Sequence, residues 1–209
     1  MLLAVSIIAL GWLLLPTLKR APPTAALRPF GDERVFILLE DLVWEIGDSG
    51  LALTVPSGFV TDLASTPQAL WSLGYTQNGP YGRAAIIHDW LYWTQPCSRG
   101  QADRLMLKAM QESAVDPTTV SQIFVAVSRF GSKAWQSNAS ERASGAFRVL
   151  PPEHRRPADP NQRWAEYRRQ LSSSGIQEPH VPFDPRVCDL ADRIAVPSVS
   201  PAPPPLTGG

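Results

Sequence analysis

The run Ala84-Ala85-Ile86-Ile87-His88-Asp89-Trp90-Leu91-Tyr92 sets the hardest condition on any fold this chain adopts. It is apolar except for an adjacent imidazole and carboxylate. A carboxylate carried into an apolar interior is strongly disfavoured unless it is paired or bound to a metal, and a mid-helix His-Asp pair is poor for helix propensity. The fold must supply partners that offset both. On a helix of about 3.6 residues per turn, His88 and Tyr92 share a face and Asp89 lies about 100° round from His88. A second helix through Ala102-Asp103-Arg104-Leu105-Met106 brings another carboxylate, that of Asp103, to the histidine. A His–Asp pair beside a further carboxylate suits activation of water or the holding of a metal. The other two histidines, His154 and His180, stand outside apolar runs.

The chain of 209 residues has room for one medium domain and appendages. Its 19 basic and 19 acidic residues cancel, so no basic stripe of the kind that marks a nucleic-acid binder is expected. Of the 21 prolines, 12 follow residue 150 and mark a tail. Cys97 and Cys188 form no CxxC pair, which excludes a zinc ribbon. They read as two unrelated thiols, the alternative being a staple between tail and core in an exported domain.

Met1 to Leu18 carries no charged side chain, and Lys19-Arg20 follows at once. This length is at the lower limit for crossing about 30 Å of hydrocarbon. The segment reads as a single-pass anchor in a bacterial inner membrane, with residues 1–18 as the membrane contact. The alternative is a signal peptide cleaved near Thr24-Ala25-Ala26 before export.

The domain boundaries follow. Residues 1–20 are the anchor or signal peptide, 21–33 a proline-broken linker, 34–136 a globular α+β core, and 137–209 a Pro-rich, largely disordered tail. Within the tail Asn161–Leu171 is a possible short helix. In the core, Arg34–Ile46 and Leu51–Val55 predict a hairpin around Gly47-Asp48-Ser49-Gly50. A small-polar loop follows through Thr61-Asp62 to Pro67, with a short helix possible at Gln68–Leu73. Three helices come next. The first spans Arg83–Thr94. Ser98 and Gln101 form a capping box that opens the second, Arg99–Ser113. Asp116-Pro117 caps the third, whose inward stripe is Val120, Ile123, Phe124, Val127 and Phe130 or Gly131. The fold class is therefore α+β: a small β-hairpin packed beside a three-helix core, with an N-terminal membrane helix and a Pro-rich tail.

The stretch Val55-Pro56-Ser57-Gly58-Phe59-Val60-Thr61-Asp62-Leu63-Ala64-Ser65-Thr66-Pro67, then His88-Asp89-Trp90-Leu91-Tyr92, then Ala102-Asp103, resembles an uncharacterised domain-of-unknown-function family, DUF1353, of phages, prophages and proteobacteria. The resemblance spans about residues 34–136 and implies a small α+β domain without an assigned activity. The set His88-Asp89-x-x-Tyr92 with Asp103 on the next helix is also similar, more distantly, to the helix core of phospholipases A2. That likeness implies His88 as general base for a water, Asp103 and Tyr92 as its orienting groups, and Asp89 as a calcium ligand. The family's glycine- and cysteine-rich calcium loop has no counterpart, and the loop carrying Asp62 takes its place in this reading.

Each residue has a plainer alternative. His88 can be a satisfied core histidine, Thr61-Asp62 a helix cap, Asp103 the partner of Arg99 or Arg104 on a solvated face, and Tyr92 a packing residue. Asp62 and Asp89 suit calcium, which takes six to eight oxygens; with His88 they equally suit zinc or manganese. No G-x-S-x-G elbow and no glycine-rich phosphate loop is present. Two functions stay open: a membrane-tethered, calcium-dependent ester hydrolase, and a non-enzymatic phage accessory module whose Pro-rich tail takes a protein partner.

Overall fold

The computed structural model describes residues 25–32, 34–63, 81–157 and 159–197. The expected membrane segment, the short helix at 68–73 and the last twelve residues lie outside these. Among the described residues no helix is long and apolar enough to cross a membrane.

The stretch 34–46, expected as one strand, is two. β2 (Phe36–Leu38) is buried throughout, whereas β3 (Leu42–Glu45) alternates buried and exposed. They separate because they serve different sheets. β3 pairs with β4 (Ala52–Val55) as the expected hairpin, register Leu42↔Val55. β2 instead sits at the centre of a three-stranded antiparallel sheet between β1 (Leu27–Pro29) and β5 (Val60–Thr61). β1 lies inside the segment 21–33 expected to be a linker, and Phe30 just after it is 3% exposed. The three-residue strand is too short to show an alternation in sequence.

Four helices build the other layer. α1 (Tyr81–Thr94) is buried along nearly its whole length, as apolar residues on all its sides require. α2 (Arg99–Glu112) opens with the Ser98–Gln101 capping box. α3 (Pro117–Phe130) opens where Asp116 accepts from the Thr118 and Thr119 N–H groups. Its buried stripe is Val120, Ile123 and Val127, and Phe130 is exposed. Phe130 ends the stripe because the chain turns at Gly131 into α4 (Ser132–Ala143), which packs back against α1.

The tail is the main correction. Far from being largely disordered from 137 on, the chain continues through α4, and residues 148–150 then pair along 58–60, with Val60 N donating to Arg148 O and Leu150 N to Gly58 O. Gly58 permits this approach: its φ is +88° and a Cβ there would meet Leu150 O at 2.5 Å. α5 (Trp164–Ser173), near the expected Asn161–Leu171, drops Trp164, Tyr167 and Leu171 onto Phe30, Ile37, Val60, Phe147 and Leu150 to form a second apolar cluster. α6 (Arg186–Ala191) packs on α2, and Cys97 and Cys188 are disulfide-bonded there, Cα atoms 5.4 Å apart. The reading as two unrelated thiols is thereby overturned. The proline content punctuates short elements whose buried aromatics, not their helical period, hold them to the core.

Candidate active site

The four residues Gln95–Ser98 reverse the chain between α1 and α2, and the capping box fixes where α2 begins. That register sets Asp103 against α1. His88 Nε2 lies 2.9 Å from Asp103 Oδ1, and the Tyr92 hydroxyl donates to the same oxygen at 2.7 Å. Arg99, one turn before Asp103, donates to Oδ2 at 3.0 Å and to the Val127 carbonyl at 3.2 Å. The sequence offered Arg99 as a surface alternative to the histidine; the carboxylate takes both, one on each oxygen, while only 2% exposed. An ionised carboxylate only accepts, so Nε2 carries the proton and Nδ1 the lone pair. Nδ1 is enclosed and has no hydrogen-bond partner among the described residues.

The Tyr92 ring sits 4.1 Å from the imidazole, centroid to centroid, and edge-on to Trp135 at 5.1 Å. Burial first, and then the charge of Asp103, hold its hydroxyl far above the ordinary phenol range. It remains a donor at any pH at which the protein works.

Asp89 is 3% exposed and accepts from the Thr61 hydroxyl on β5. That hydroxyl in turn accepts from the Leu63 N–H at 3.1 Å. Thr61 thus bonds the backbone two residues on, while the helix expected to be capped by Thr61-Asp62 lies outside the described residues. Asp62, Asp89 and Tyr92 line one cavity of about 230 Å³, closed on its far side by Ala134, Ser137, Asn138 and Glu141 of α4 and by Arg148. The imidazole of His88 is fully buried and is not part of that wall among the described residues.

The structure thus unites His88, Asp103 and Tyr92 and puts Asp62 and Asp89 on one cavity. Among the described residues, no group of three or more His, Cys, Asp or Glu side chains is placed to hold a metal. A hard cation would draw on the two carboxylates, the Asn138 amide oxygen and water, an all-oxygen set of the kind calcium takes. Sequence reasoning missed Asn138 and Arg148, and took Thr61 only as part of a helix cap. Thr61 adjoins a residue already singled out. The α4 residues 134, 137, 138 and 141 share one helical face, but it is polar and gives no hydrophobic period.

A family model described as "Protein of unknown function (DUF1353)" matches residues 36–127. Over these residues the chain is similar to that family. The DUF1353 match covers β2 to β5 and α1 to α2 and most of α3, and so contains all five candidate residues; α4, α5 and α6 lie beyond it. No curated protein and no solved structure matches the chain, so the phospholipase likeness gains no support from relatives.

Proposed function

We propose that the protein is a membrane-tethered ester hydrolase in which His88 is the general base. The observation that carries this reading is the shared Asp103 oxygen. It takes the Nε2 proton of His88 and the Tyr92 hydroxyl, and leaves Nδ1 without a partner. An imidazole held in one tautomer with its second nitrogen unused is what general-base catalysis needs. For this the buried ring must open to the Asp62–Asp89 cavity; Nδ1 then takes a proton from water as the water oxygen adds to the ester carbonyl carbon. The proton passes to the leaving alkoxide as the tetrahedral adduct collapses to acid and alcohol. Asp103 stays ionised and holds the ring. Calcium bound at Asp62 and Asp89 would polarise the carbonyl oxygen.

Residues 1–18 supply the membrane contact in this reading. The Cys97–Cys188 bond supports a domain on the oxidising side of that membrane, or exported from it.

The test is release of fatty acid from a short-chain ester by the full-length protein in detergent, with calcium or with chelator. Calcium-dependent release that His88→Ala abolishes, with the melting transition retained, is expected. No release from any ester under either condition ends the proposal. A second reading rests on the complete burial of His88: the network is a packing device inside a phage accessory module, whose Pro-rich tail binds a protein partner. In that case His88→Ala lowers stability and nothing else.

A further inference from the structure

The cavity between α1 and α4 is unevenly satisfied. Its carboxylates are engaged: Glu141 pairs with Arg168 at 3.0 Å and Asp89 accepts from Thr61. Two other groups in the wall are not. Asn138 is only 8% exposed and lines the cavity, its amide unbonded among the described residues but not fully enclosed. Arg148 lies 5.1 Å over the Trp93 ring, and its guanidinium has no hydrogen bond or ion pair among the described residues, with Nε enclosed. Buried polar groups are nearly always partnered, and each that is not calls for a reason. The unused capacity includes an amide NH2, beside its acceptor oxygen, and a guanidinium, whose fork matches the oxygens of a phosphate or carboxylate.

We propose that this cavity is an oxyanion subsite in which Arg148 and Asn138 donate to a phosphate-type group. The guanidinium lies over the Trp93 ring, and Glu178 fixes the backbone on which it stands by accepting from the Arg148 and Val149 N–H groups. A volume of about 230 Å³ admits a phosphate with its first waters, being room for roughly seven water molecules. Asp62 and Asp89 in the same wall oppose an anion, so affinity for the isolated group is modest. The inference rests on the hydrolase reading only in naming the polar group its substrate carries; binding alone tests it.

Full-length protein in non-ionic detergent with chelator is titrated calorimetrically with inorganic phosphate and with dihexanoyl phosphatidylglycerol below its micelle concentration. Saturable binding of at least one, weakened roughly tenfold or more by Arg148→Gln and by Asn138→Asp, is expected, since hydrogen bonds to charged groups are the strong ones. Tighter binding of the diester assigns the site to an esterified phosphate; equal or tighter binding of phosphate assigns it to the free ion. If either variant fails to fold, the native protein still decides, because its Arg148 Nε–H resonance must shift during the titration. No saturable binding, binding indifferent to both substitutions, or an unmoved resonance overturns the proposal. A protein that binds phosphate here but hydrolyses nothing ends the hydrolase reading and leaves the subsite standing.

Discussion

Gly131 stands so close to Tyr92 that a Cβ built on it would come within 2.3 Å of the phenol oxygen and 2.6 Å of the Val127 carbonyl. The elbow between α3 and α4 is thus the lid over the Tyr92–Asp103 hydrogen bond. The Val127 carbonyl also takes the Arg99 guanidinium, so pressure at this point reaches both oxygens of Asp103. Gly131→Ala should destabilise the protein by about 1 to 3 kcal/mol through overpacking. Part of that loss should vanish in the Gly131→Ala/Tyr92→Phe double variant, which lacks the clashing oxygen. Urea unfolding of the four-member cycle gives the coupling; strict additivity would show that the elbow and the phenol do not touch.

The raised pKa of Tyr92 makes an alkaline prediction. Its unfolded phenol ionises at about 10, while the folded one, buried beside Asp103, keeps its proton well beyond that. Above the unfolded value the unfolded state holds fewer protons than the folded state, so stability falls as pH rises. Tyr92's contribution is complete below about pH 10 and is lost as the pH climbs toward the folded value. Between about pH 10 and 12, the native protein should lose stability faster than Tyr92→Phe by about 1.4 kcal/mol per pH unit. Tyr167, whose phenol burial also raises, leaves a residual slope in both proteins. Parallel slopes would refute the assignment.

The Cys97–Cys188 bond closes a span of 91 residues. Loop-entropy arithmetic for a closure of that length gives a stabilisation of about 4.6 kcal/mol. Cys188→Ser, or reductant added to the native protein, should lower the urea midpoint accordingly. The loss should begin at the contact of α6 with α2, which hydrogen exchange would register as early opening of α6. A midpoint indifferent to reductant would mean that packing, and the contacts of Asp192 with Arg104 at 2.8 Å and Gln101 at 2.9 Å, suffice to hold α6.

What the sequence reveals here depends on whether a residue's reason for being where it is lies nearby in the chain. The capping box at Ser98, the Asp116-Pro117 start of α3 and the buried stripe Val120, Ile123 and Val127 are local, and all are visible in the residues. So is the meeting of His88, Asp103 and Tyr92, because two helices joined by four residues must lie antiparallel and side by side. Arg148, Asn138 and Glu178 are not legible in this way. Each reaches the site across the fold, on elements whose inward faces are polar or only a few residues long. The prolines mislead for the same reason. They mark a segment without periodicity, which is equally the signature of disorder and of a chain laid in short pieces over a finished core.

Glu178 tests that last distinction. Its Oε1 accepts from Trp93 Nε1 at 2.8 Å and from the Arg148 and Val149 N–H groups at 2.9 Å each. One oxygen from the Pro-rich stretch thus pins α1, the strand-like segment after α4 and the tail together. Removing it leaves an indole and two backbone donors, all partly buried, without an acceptor. Charge-assisted bonds of this kind contribute about 1.5 to 3 kcal/mol, and the three share one acceptor, so they do not simply add. Glu178→Ala should cost about 2 to 3 kcal/mol and shift the Trp93 emission. Glu178→Gln keeps an oxygen at the same place and should recover most of the loss. A tail that merely trailed from the core would show no difference between native protein and either variant in urea. The sharper outcome is positional: because Arg148 stands on the backbone that Glu178 holds, Glu178→Ala should also release its guanidinium from Trp93, seen as movement of the Arg148 Nε–H resonance.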